Sequence, residues 1–342
     1  MFTVHNSPND ERVFRGHLAP IAHLLDDPSV IEILINHPQC AFVERHGEMT
    51  PIELNLLPQN VSGAAMALAS INQKDHSAIL DCRMPNLRVA MAMPPVAVHG
   101  PAMAIRKHRK VRRRLRQYLD EGLFQPGIKR PIARSERGAT SDISAGNELV
   151  FDFLRHIMLT KQNILLAGST SAGKTALLNA LEAEIPDDER LIVIEDTTEL
   201  ILERPNFLQL EANLDRGISI AQLLRLALRM RPDRIFVGEV RDGTAYDLMD
   251  ALNTGHSGSG GTLHADTAPD ALIRLESLLR QAPQSANWPL SAMRSQIAST
   301  FRYVIFSSKI AGRAPETILE ILGLDERGNY RLKTLYQRFS DE

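Results

Sequence analysis

The chain has 342 residues, of which 44% are apolar, and it carries a formal net charge of −2 at pH 7. This length favours two domains, and the near-neutral charge argues against a polycationic nucleic-acid-binding protein. Two cysteines cannot furnish a disulfide framework or a four-cysteine zinc site, and no run approaches the roughly 20 apolar residues of a membrane span, so a reduced cytosolic setting fits best.

Residues 1–110 are predicted to form a small α/β domain. The Ala-rich segment 61–73 has apolar residues at helical spacing, which indicates a helix. Short runs rich in β-forming residues, separated by breaks that contain proline or glycine, predict strands. These strands are 30–36, 41–45, 88–95 and 101–108.

The composition changes after this domain. Residues 106–116 contain eight Lys or Arg, and 122–142 contain two prolines and three glycines. We therefore expect an extended linker over 111–143, followed by a second domain over 144–342. The basic run is interpreted first as a solvated linker helix that ends at Gly122, with an anionic membrane surface or DNA as the functional alternatives. No stable nucleic-acid complex is expected.

From about residue 147 onwards, short apolar runs alternate with amphipathic segments of helical period. This alternation predicts a mostly parallel sheet covered by helices. The predicted helices are NELVFDFLRHIML, KTALLNALEAEI, AQLLRLALRMR and GTAYDLMDALNTG. The predicted strands are NILLAG, RLIVIED, DRIFVGE and GGTLHA.

One strand and one helix of this pattern flank the sequence GSTSAGKT, which matches the phosphate-binding loop G-x-x-x-x-G-K-[ST]. Glycines let several backbone N–H groups point at one anion, and the helix that follows adds the positive end of its dipole. We expect Lys174 to reach the β- and γ-phosphates of ATP and Thr175 to offer its hydroxyl to Mg²⁺. The whole loop is assigned to nucleotide binding: Gly168, Ser169, Thr170, Ser171, Ala172, Gly173, Lys174 and Thr175.

Hydrolysis requires acidic groups beside this loop. RLIVIEDTTEL ends with Glu195, Asp196 and Glu199, and RIFVGEVRD ends with Glu239. In a parallel sheet both sets fall at the edge that carries the phosphate loop. A carboxylate there can hold Mg²⁺, a role given first to Glu239, or accept a proton from the attacking water. Taken singly, each acid could also be a solvated strand end.

Two histidines, His256 and His264, bracket the run SGSGGTL. A metal site, a loop that senses phosphate and an incidental turn are the three alternatives. The two cysteines are remote in sequence, which disfavours a metal site. His264 follows a predicted strand at the same edge as Glu239, so it is the first candidate to donate to the γ-phosphate or to the network of the attacking water. His256 is expected to anchor the loop.

The motifs together resemble the type II/type IV secretion ATPases. IEDTTEL is similar to the acidic box of that family, GHSGSGGTLHAD to its histidine box, and ILDCRMPNLRVAMAMPPV to the strand run of its N-terminal domain. The resemblance covers about residues 25 to 325. It implies a C-terminal RecA-like P-loop ATPase domain, joined by an extended linker to a smaller α/β domain, and a role for the histidine box in sensing the γ-phosphate.

Further site residues follow from the same resemblance. Arg88 and Arg106 stand in segments similar to those from which the family's N-terminal domain contributes guanidinium groups to the phosphates. Arg241 is a further candidate for contact with the nucleotide, and its alternative role is an ion pair with Asp242 or with a residue of the acidic box.

The expected protein is a cytoplasmic homohexameric ATPase that docks on inner-membrane secretion components, including other secretion ATPases. The type IV secretion and conjugation branch is favoured, because the chain lacks a cysteine-rich insertion and a recognisable pilus-retraction signature near its C-terminus. A pilus assembly or retraction motor is the alternative of the same fold. A nucleotide-gated scaffold that hydrolyses little is the alternative of another class.

Overall fold

The computed structural model describes residues 8–45, 48–72, 74, 77–84, 86–107, 112–126, 128–129 and 147–340. These residues belong to two compact units, Met1–Lys110 and Val111–Glu342, called here the N-terminal and C-terminal units. Residues 111, 127 and 130–143 of the predicted linker and residues 108–111 of the basic run lie outside the described residues. Across the described residues, no helix has both the length and the apolar character needed to cross a membrane.

The N-terminal unit is a six-stranded antiparallel sheet, with strand order β3-β2-β1-β6-β5-β4, packed against helices. Its elements are α1 Pro8–His17, α2 Ala22–Asp26, β1 Val30–His37, β2 Cys40–Arg45, β3 Glu48–Glu53, α3 Pro58–Ile71, β4 Ile79–Met84, β5 Leu87–Ala92 and β6 Ala102–Lys107. The four predicted strands and the Ala-rich helix are confirmed. Strand β3 was not predicted, because its sequence EMTPIE is largely exposed and has no apolar alternation.

The C-terminal unit alternates strands and helices along its first part and ends in a run of strands. Its elements are α4 Leu115–Asp120, β7 Ile128–Lys129, α5 Asn147–Leu159, β8 Ile164–Ala167, α6 Lys174–Glu182, β9 Leu191–Glu195, β10 Phe207–Glu211, α7 Ile220–Ala227, β11 Arg234–Val237, α8 Thr244–Asn253, β12 Gly260–Leu263, α9 Ala268–Leu279, α10 Leu290–Thr300, β13 Tyr303–Ser308, β14 Ala314–Leu324, β15 Tyr330–Gln337 and β16 Phe339–Ser340. All four predicted helices and all four predicted strands are present.

An eight-stranded sheet of order β10-β9-β11-β12-β8-β13-β14-β15 forms the centre of this unit. The pairings from β10 to β13 are parallel, and the last two are antiparallel. The predicted mostly parallel sheet is therefore confirmed. In register, Val237 lies beside Ile194 and Gly261, and Leu263 lies beside Ala167. The residues that follow these strands consequently emerge at one edge of the sheet.

Helices cover both faces of the sheet. Successive residues of a strand point to opposite faces, so each face presents apolar side chains against which helices pack. Leu165, Ile192 and Ile235 pack against α7, α8, α9 and α10 on one face. Leu166 and Val193 pack against α4, α5 and α6 on the other. Strands buried on both faces read as continuous apolar runs, which is the pattern seen in the sequence.

Helix α4 lies within the segment expected to be an extended linker, and it is the short helix predicted to end near Gly122. Leu115, Tyr118 and Leu119 of α4 belong to the same buried cluster as α5 and α6. The arginines described in this part of the basic run form ion pairs with acidic side chains of the C-terminal unit. These pairs are Arg112–Glu182, Arg113–Glu121, Arg114–Glu203 and Arg116–Asp120. Their charge is thus balanced locally. The expectation of a solvated helix was wrong for this part of the run, because α4 packs into the C-terminal unit and the side chain of Arg112 is 3% exposed.

A buried arginine joins the ends of several elements of the C-terminal unit. Arg234, the first residue of β11, is fully buried and pairs with Glu189 through Nε at 2.6 Å and Nη2 at 3.1 Å. Its Nη1 donates to the carbonyl oxygens of Met158 at 2.6 Å and Gly258 at 3.3 Å. Gly258 has φ 79°, and a Cβ there would lie 2.6 Å from that Nη1. The loop before β12 is therefore fixed against the start of β11 and the end of α5.

Replacing Arg234 with Met should lower the free energy of unfolding by about 3–5 kcal/mol, because Glu189 and two carbonyls lose a buried donor. Urea denaturation measures this change. The control is Arg155→Met, which removes a half-exposed pair with Glu184 and should cost less than about 1 kcal/mol. Equal losses in the two variants would contradict the structural role of Arg234.

Candidate functional site

The phosphate-loop sequence begins directly after β8 and ends in α6, as the motif requires. A Cβ on Gly168 would lie 2.4 Å from the carbonyl oxygen of Ser307 in β13. Gly173, at φ 89°, would place a Cβ 2.6 Å from the carbonyl oxygen of Arg313. Both glycines are thus required by close backbone approach, which presses the loop against β13 and the turn that follows it.

Lys174 is the first residue of α6, and its side chain turns back over the loop. Its Nζ donates to the carbonyl oxygens of Gly168 at 2.8 Å and Ser169 at 3.0 Å, and it lies 3.3 Å from Nδ1 of His264. The residue is 8% exposed. Buried ammonium groups require acceptors. Here the two loop carbonyls and the imidazole of His264 act as the acceptors. A bound phosphate would compete with them for the lysine.

Glu195, the last residue of β9, is 2% exposed, and both of its carboxylate oxygens accept hydrogen bonds. Oε1 accepts from the backbone N–H groups of Glu199 at 3.0 Å and Leu200 at 3.1 Å, and Oε2 accepts from Nε2 of Gln209 at 3.0 Å. A Cβ on Gly238 would lie 2.8 Å from Cγ of Glu195, which explains why glycine precedes Glu239. The carboxylate of Glu195 therefore shapes the acidic loop 196–200.

Burial raises the pKa of Glu195 to about 7, although the hydrogen bonds from Gln209 and from the two backbone N–H groups oppose this rise. The group therefore gains a proton on folding at pH values between its ordinary pKa and about 7. Glu199 contributes its backbone N–H to this arrangement.

Glu239 follows β11 and is more accessible than Glu195, with 24% of its side chain exposed. Arg241 donates to both of its oxygens, from Nε and Nη2, at 2.7 Å each. Nε2 of His264 lies 3.4 Å from Oε1 of Glu239. Partial burial would raise the pKa of Glu239, but Arg241, His264 and Lys174 together outweigh it and hold that pKa below its ordinary value. Glu239 is thus held in its ionised form.

The two histidines lie at opposite ends of β12, so the structure separates them as the sequence suggested. His264 follows the strand and lies between Lys174 and Glu239. His256 precedes it and bonds through Nδ1 to the carbonyl oxygen of Ala251 in α8 at 3.0 Å, while its own carbonyl accepts from Oγ of Ser259 at 2.6 Å. Its contacts are those of a loop anchor. Among the described residues, no group of three or more His, Cys, Asp or Glu could hold a metal ion.

Arg88 and Arg106 belong to the N-terminal unit, where they are register partners on β5 and β6. Arg88 pairs with Asp81 of β4, with Nη2 at 2.9 Å from Oδ2. Arg106 lies beside Glu32 of β1 in the register of the sheet. The two guanidinium groups therefore belong to one charged row across that sheet.

Several residues at the site were not identified from the sequence. Gln209 holds Glu195, but it lies on β10, a half-buried strand that was not predicted. Asn179 of α6 accepts from the backbone N–H of Ile201 through Oδ1 at 2.7 Å, which ties the acidic loop to the helix of the phosphate loop. The one sequence signal for Asn179 was its polar side chain among the apolar positions of a helix.

The titration of Glu195 predicts a pH-dependent stability. Folded Glu195 has a pKa of about 7 against 4.5 for the ordinary group, so its contribution to stability is lost as pH rises between these values. The loss should amount to about 3 kcal/mol. Denaturation at pH 5 and pH 8 should show a smaller difference in Glu195→Gln than in the wild type, with exposed Glu326→Gln as control. Glu182, with its pKa also raised to about 7, titrates in all three proteins. An unchanged pH difference in Glu195→Gln would contradict this assignment.

The chain is similar to known secretion-system proteins over most of its length. Residues 135–313 match the family described as type II/IV secretion system protein. The chain is 31% identical over 317 residues to the type IV secretion system protein VirB11 of Bartonella quintana, covering 86% of this chain and 89% of that protein. It is 35% identical over 273 residues to the conjugal transfer protein TrbB of Rhizobium radiobacter, covering 76% and 75%.

Among solved structures, the pilus retraction motor PilT with bound ADP has the same fold. The TM-score is 0.56 at 19% identity, and the match covers 96% of this chain and 84% of that one. Together with the phosphate loop and the two relatives, the family match establishes what the chain is. It belongs to the type II/IV secretion system protein family and is an ATP-hydrolysing secretion ATPase.

Proposed function

We propose that the chain is a hexameric ATPase motor of a type IV secretion or conjugation system, acting at the cytoplasmic face of the inner membrane. One observation carries the catalytic part of this proposal. Lys174, His264 and Glu239 come from three separate sequence motifs, and His264 lies 3.3 Å from Lys174 and 3.4 Å from Glu239. Such a set links the group that binds phosphate to the group that activates water.

The branch is supported by the relatives. Their names assign VirB11 to type IV secretion and TrbB to conjugal transfer, at 31% and 35% identity. PilT, the structure that would favour a pilus motor, is 19% identical. Hexamer formation and docking on inner-membrane components, including other secretion ATPases, follow by family likeness, and an anionic membrane surface is a further proposed contact. Among the described residues of the basic run, Arg112, Arg114 and Arg116 pair with acids, and no stable nucleic-acid complex is proposed.

Binding of ATP is assigned to residues 168–175 and α6. Backbone N–H groups of the loop and the positive end of α6 attract the phosphates. Lys174 exchanges the carbonyls of Gly168 and Ser169 for phosphate oxygens, which are stronger acceptors because they are charged. Ser169 and Thr170 of the loop are exposed.

A divalent cation fits the groups at this edge. Thr175, in the first turn of α6, offers a hydroxyl, and Glu239 offers an ionised carboxylate that remains partly exposed. Oxygen donors of this kind suit Mg²⁺, which binds through one or two protein groups together with substrate phosphates. When bound, the ion would neutralise charge on the phosphates.

Glu239 is proposed as the residue that accepts the proton of the attacking water or orients that water. A lowered pKa keeps it ionised, and 24% of its side chain is exposed to solvent. His264 is proposed to report the γ-phosphate, because it contacts both Lys174 and Glu239. Glu195 and Glu199 act indirectly by shaping the acidic loop. His256 anchors the loop before β12, and Arg88 with Arg106 remain the proposed guanidinium contributors of the N-terminal unit.

Replacing Glu239 with Gln should leave ATP binding intact and lower the rate of hydrolysis by about 10²-fold or more, because the base is lost while size is kept. Steady-state phosphate release and binding of a fluorescent nucleotide give the two quantities. The exposed Glu326→Gln is the matched control. Hydrolysis near the wild-type rate would indicate that another carboxylate accepts the proton. Absence of hydrolysis in the wild type would favour the scaffold alternative.

A further inference from the structure

Arg241 contacts carboxylates that follow two neighbouring strands of the central sheet. It donates to both oxygens of Glu239 at 2.7 Å, and its Nη1 lies 3.7 Å from Oδ2 of Asp196. Glu239 follows β11, and Asp196 follows β9, its neighbour in the sheet. One guanidinium therefore has two acidic acceptors, one from each acidic motif.

Its sequence neighbour Asp242 is engaged elsewhere. Oδ1 of Asp242 accepts from the backbone N–H of Thr244 at 3.0 Å and from its hydroxyl at 2.7 Å, at the start of α8. Asp242 also has φ 49°, which turns the chain between Arg241 and the helix. The ion pair between Arg241 and Asp242 that the sequence left open is therefore not the arrangement seen. The turn directs Arg241 towards Glu239 and Asp196 instead.

The contact between Arg241 and Glu239 can open during turnover. About half of the Arg241 side chain is exposed, at 52%, so solvent can stabilise its charge when the contact with Glu239 opens. The pair of Arg234 with Glu189 shows the contrast, since its arginine is fully buried and breaking the pair would leave an uncompensated buried charge. Of the two arginines, Arg241 is the one whose partner can be exchanged at low cost.

In the observed arrangement the guanidinium covers the carboxylate group that the proposed function requires. In this bidentate pair, each carboxylate oxygen accepts one hydrogen bond from the guanidinium. A divalent cation or a water proton competes for the same oxygens, and a cation is also repelled by the positive charge beside them. Asp196 lies within reach as an alternative acceptor for the displaced arginine.

We propose that Arg241 is a positioning residue that restrains Glu239 before the metal–nucleotide complex binds, and that it transfers to Asp196 when Glu239 is released. This inference rests on the proposed function and adds an ordered step to it. The role expected of Arg241 from the sequence is a direct contact with phosphate. The two roles predict different effects of removing Arg241. Removing a restraint tightens the binding of the metal, whereas removing a phosphate ligand weakens the binding of the nucleotide.

The test uses the full chain with Mn²⁺ as the probe and adenylyl imidodiphosphate as the nucleotide. Electron paramagnetic resonance of free Mn²⁺ gives the Kd of the metal at saturating nucleotide. Binding of the nucleotide without metal gives a second Kd. Wild type, Arg241→Met, Asp196→Asn and the double variant are compared, and Arg241→Lys, which keeps the charge but not the fork, is the conservative variant. Thermal unfolding of each protein monitors the fold.

Arg241→Met should lower the Mn²⁺ Kd several-fold and leave the affinity for metal-free nucleotide unchanged, with Arg241→Lys intermediate. Asp196→Asn should raise the Mn²⁺ Kd, because Arg241 then has a single acceptor. This effect should vanish in the double variant, since Asp196 acts through Arg241.

Two outcomes overturn the inference. The first is weaker metal-free nucleotide binding in Arg241→Met with the Mn²⁺ Kd unchanged, which identifies a phosphate contact. The second is an equal effect of Asp196→Asn with and without Arg241, which identifies Asp196 as acting on the metal directly. Failure of the wild type to bind Mn²⁺ with nucleotide would instead contradict the proposed function, so the two failures are distinguishable.

Discussion

The parallel register of β9, β11, β12 and β8 is the constraint on which the site depends. Because β8 and β12 end level and β9 and β11 end within two residues of them, the residues that follow these strands meet at one edge. Lys174, His264 and Glu239, which are far apart in the sequence, are thereby brought together, and His264 contacts both of the others. The apolar residues of the strands pack against helices on both faces of the sheet and stabilise this register. The positions of the site residues therefore depend on the packing of the sheet.

Charged groups serve two purposes in the C-terminal unit, and their burial distinguishes them. Arg234 with Glu189 and Arg112 with Glu182 are pairs whose arginines are almost fully enclosed, and they join elements that must not move apart. Arg241 with Glu239 is half exposed, and an alternative acceptor lies beside it. Enclosed pairs fix the frame, because breaking them leaves a buried charge. Exposed pairs can change partners during a reaction cycle.

Local signals made much of the fold and part of the site predictable. The phosphate loop is specified by eight consecutive residues between an apolar strand and a helix, so its place could be predicted without knowledge of the rest. Strand β10 and its Gln209 could not, because a half-exposed edge strand has no continuous apolar run. Burial of Glu195 was equally hidden, since it depends on Gln209 and on the backbone of the loop that follows. The direction of Arg241 required the turn at Asp242.

A structure of the full chain with Mg²⁺ and a non-hydrolysable ATP analogue tests the central claim most directly. In the present structure Nζ of Lys174 lies 2.8 Å from the carbonyl oxygen of Gly168 and 3.3 Å from Nδ1 of His264. We predict that Lys174 leaves the carbonyl for the β- and γ-phosphates, and that His264 and Glu239 remain at the phosphate edge. Phosphates bound elsewhere, with Lys174 still held by Gly168 and Ser169, would contradict it.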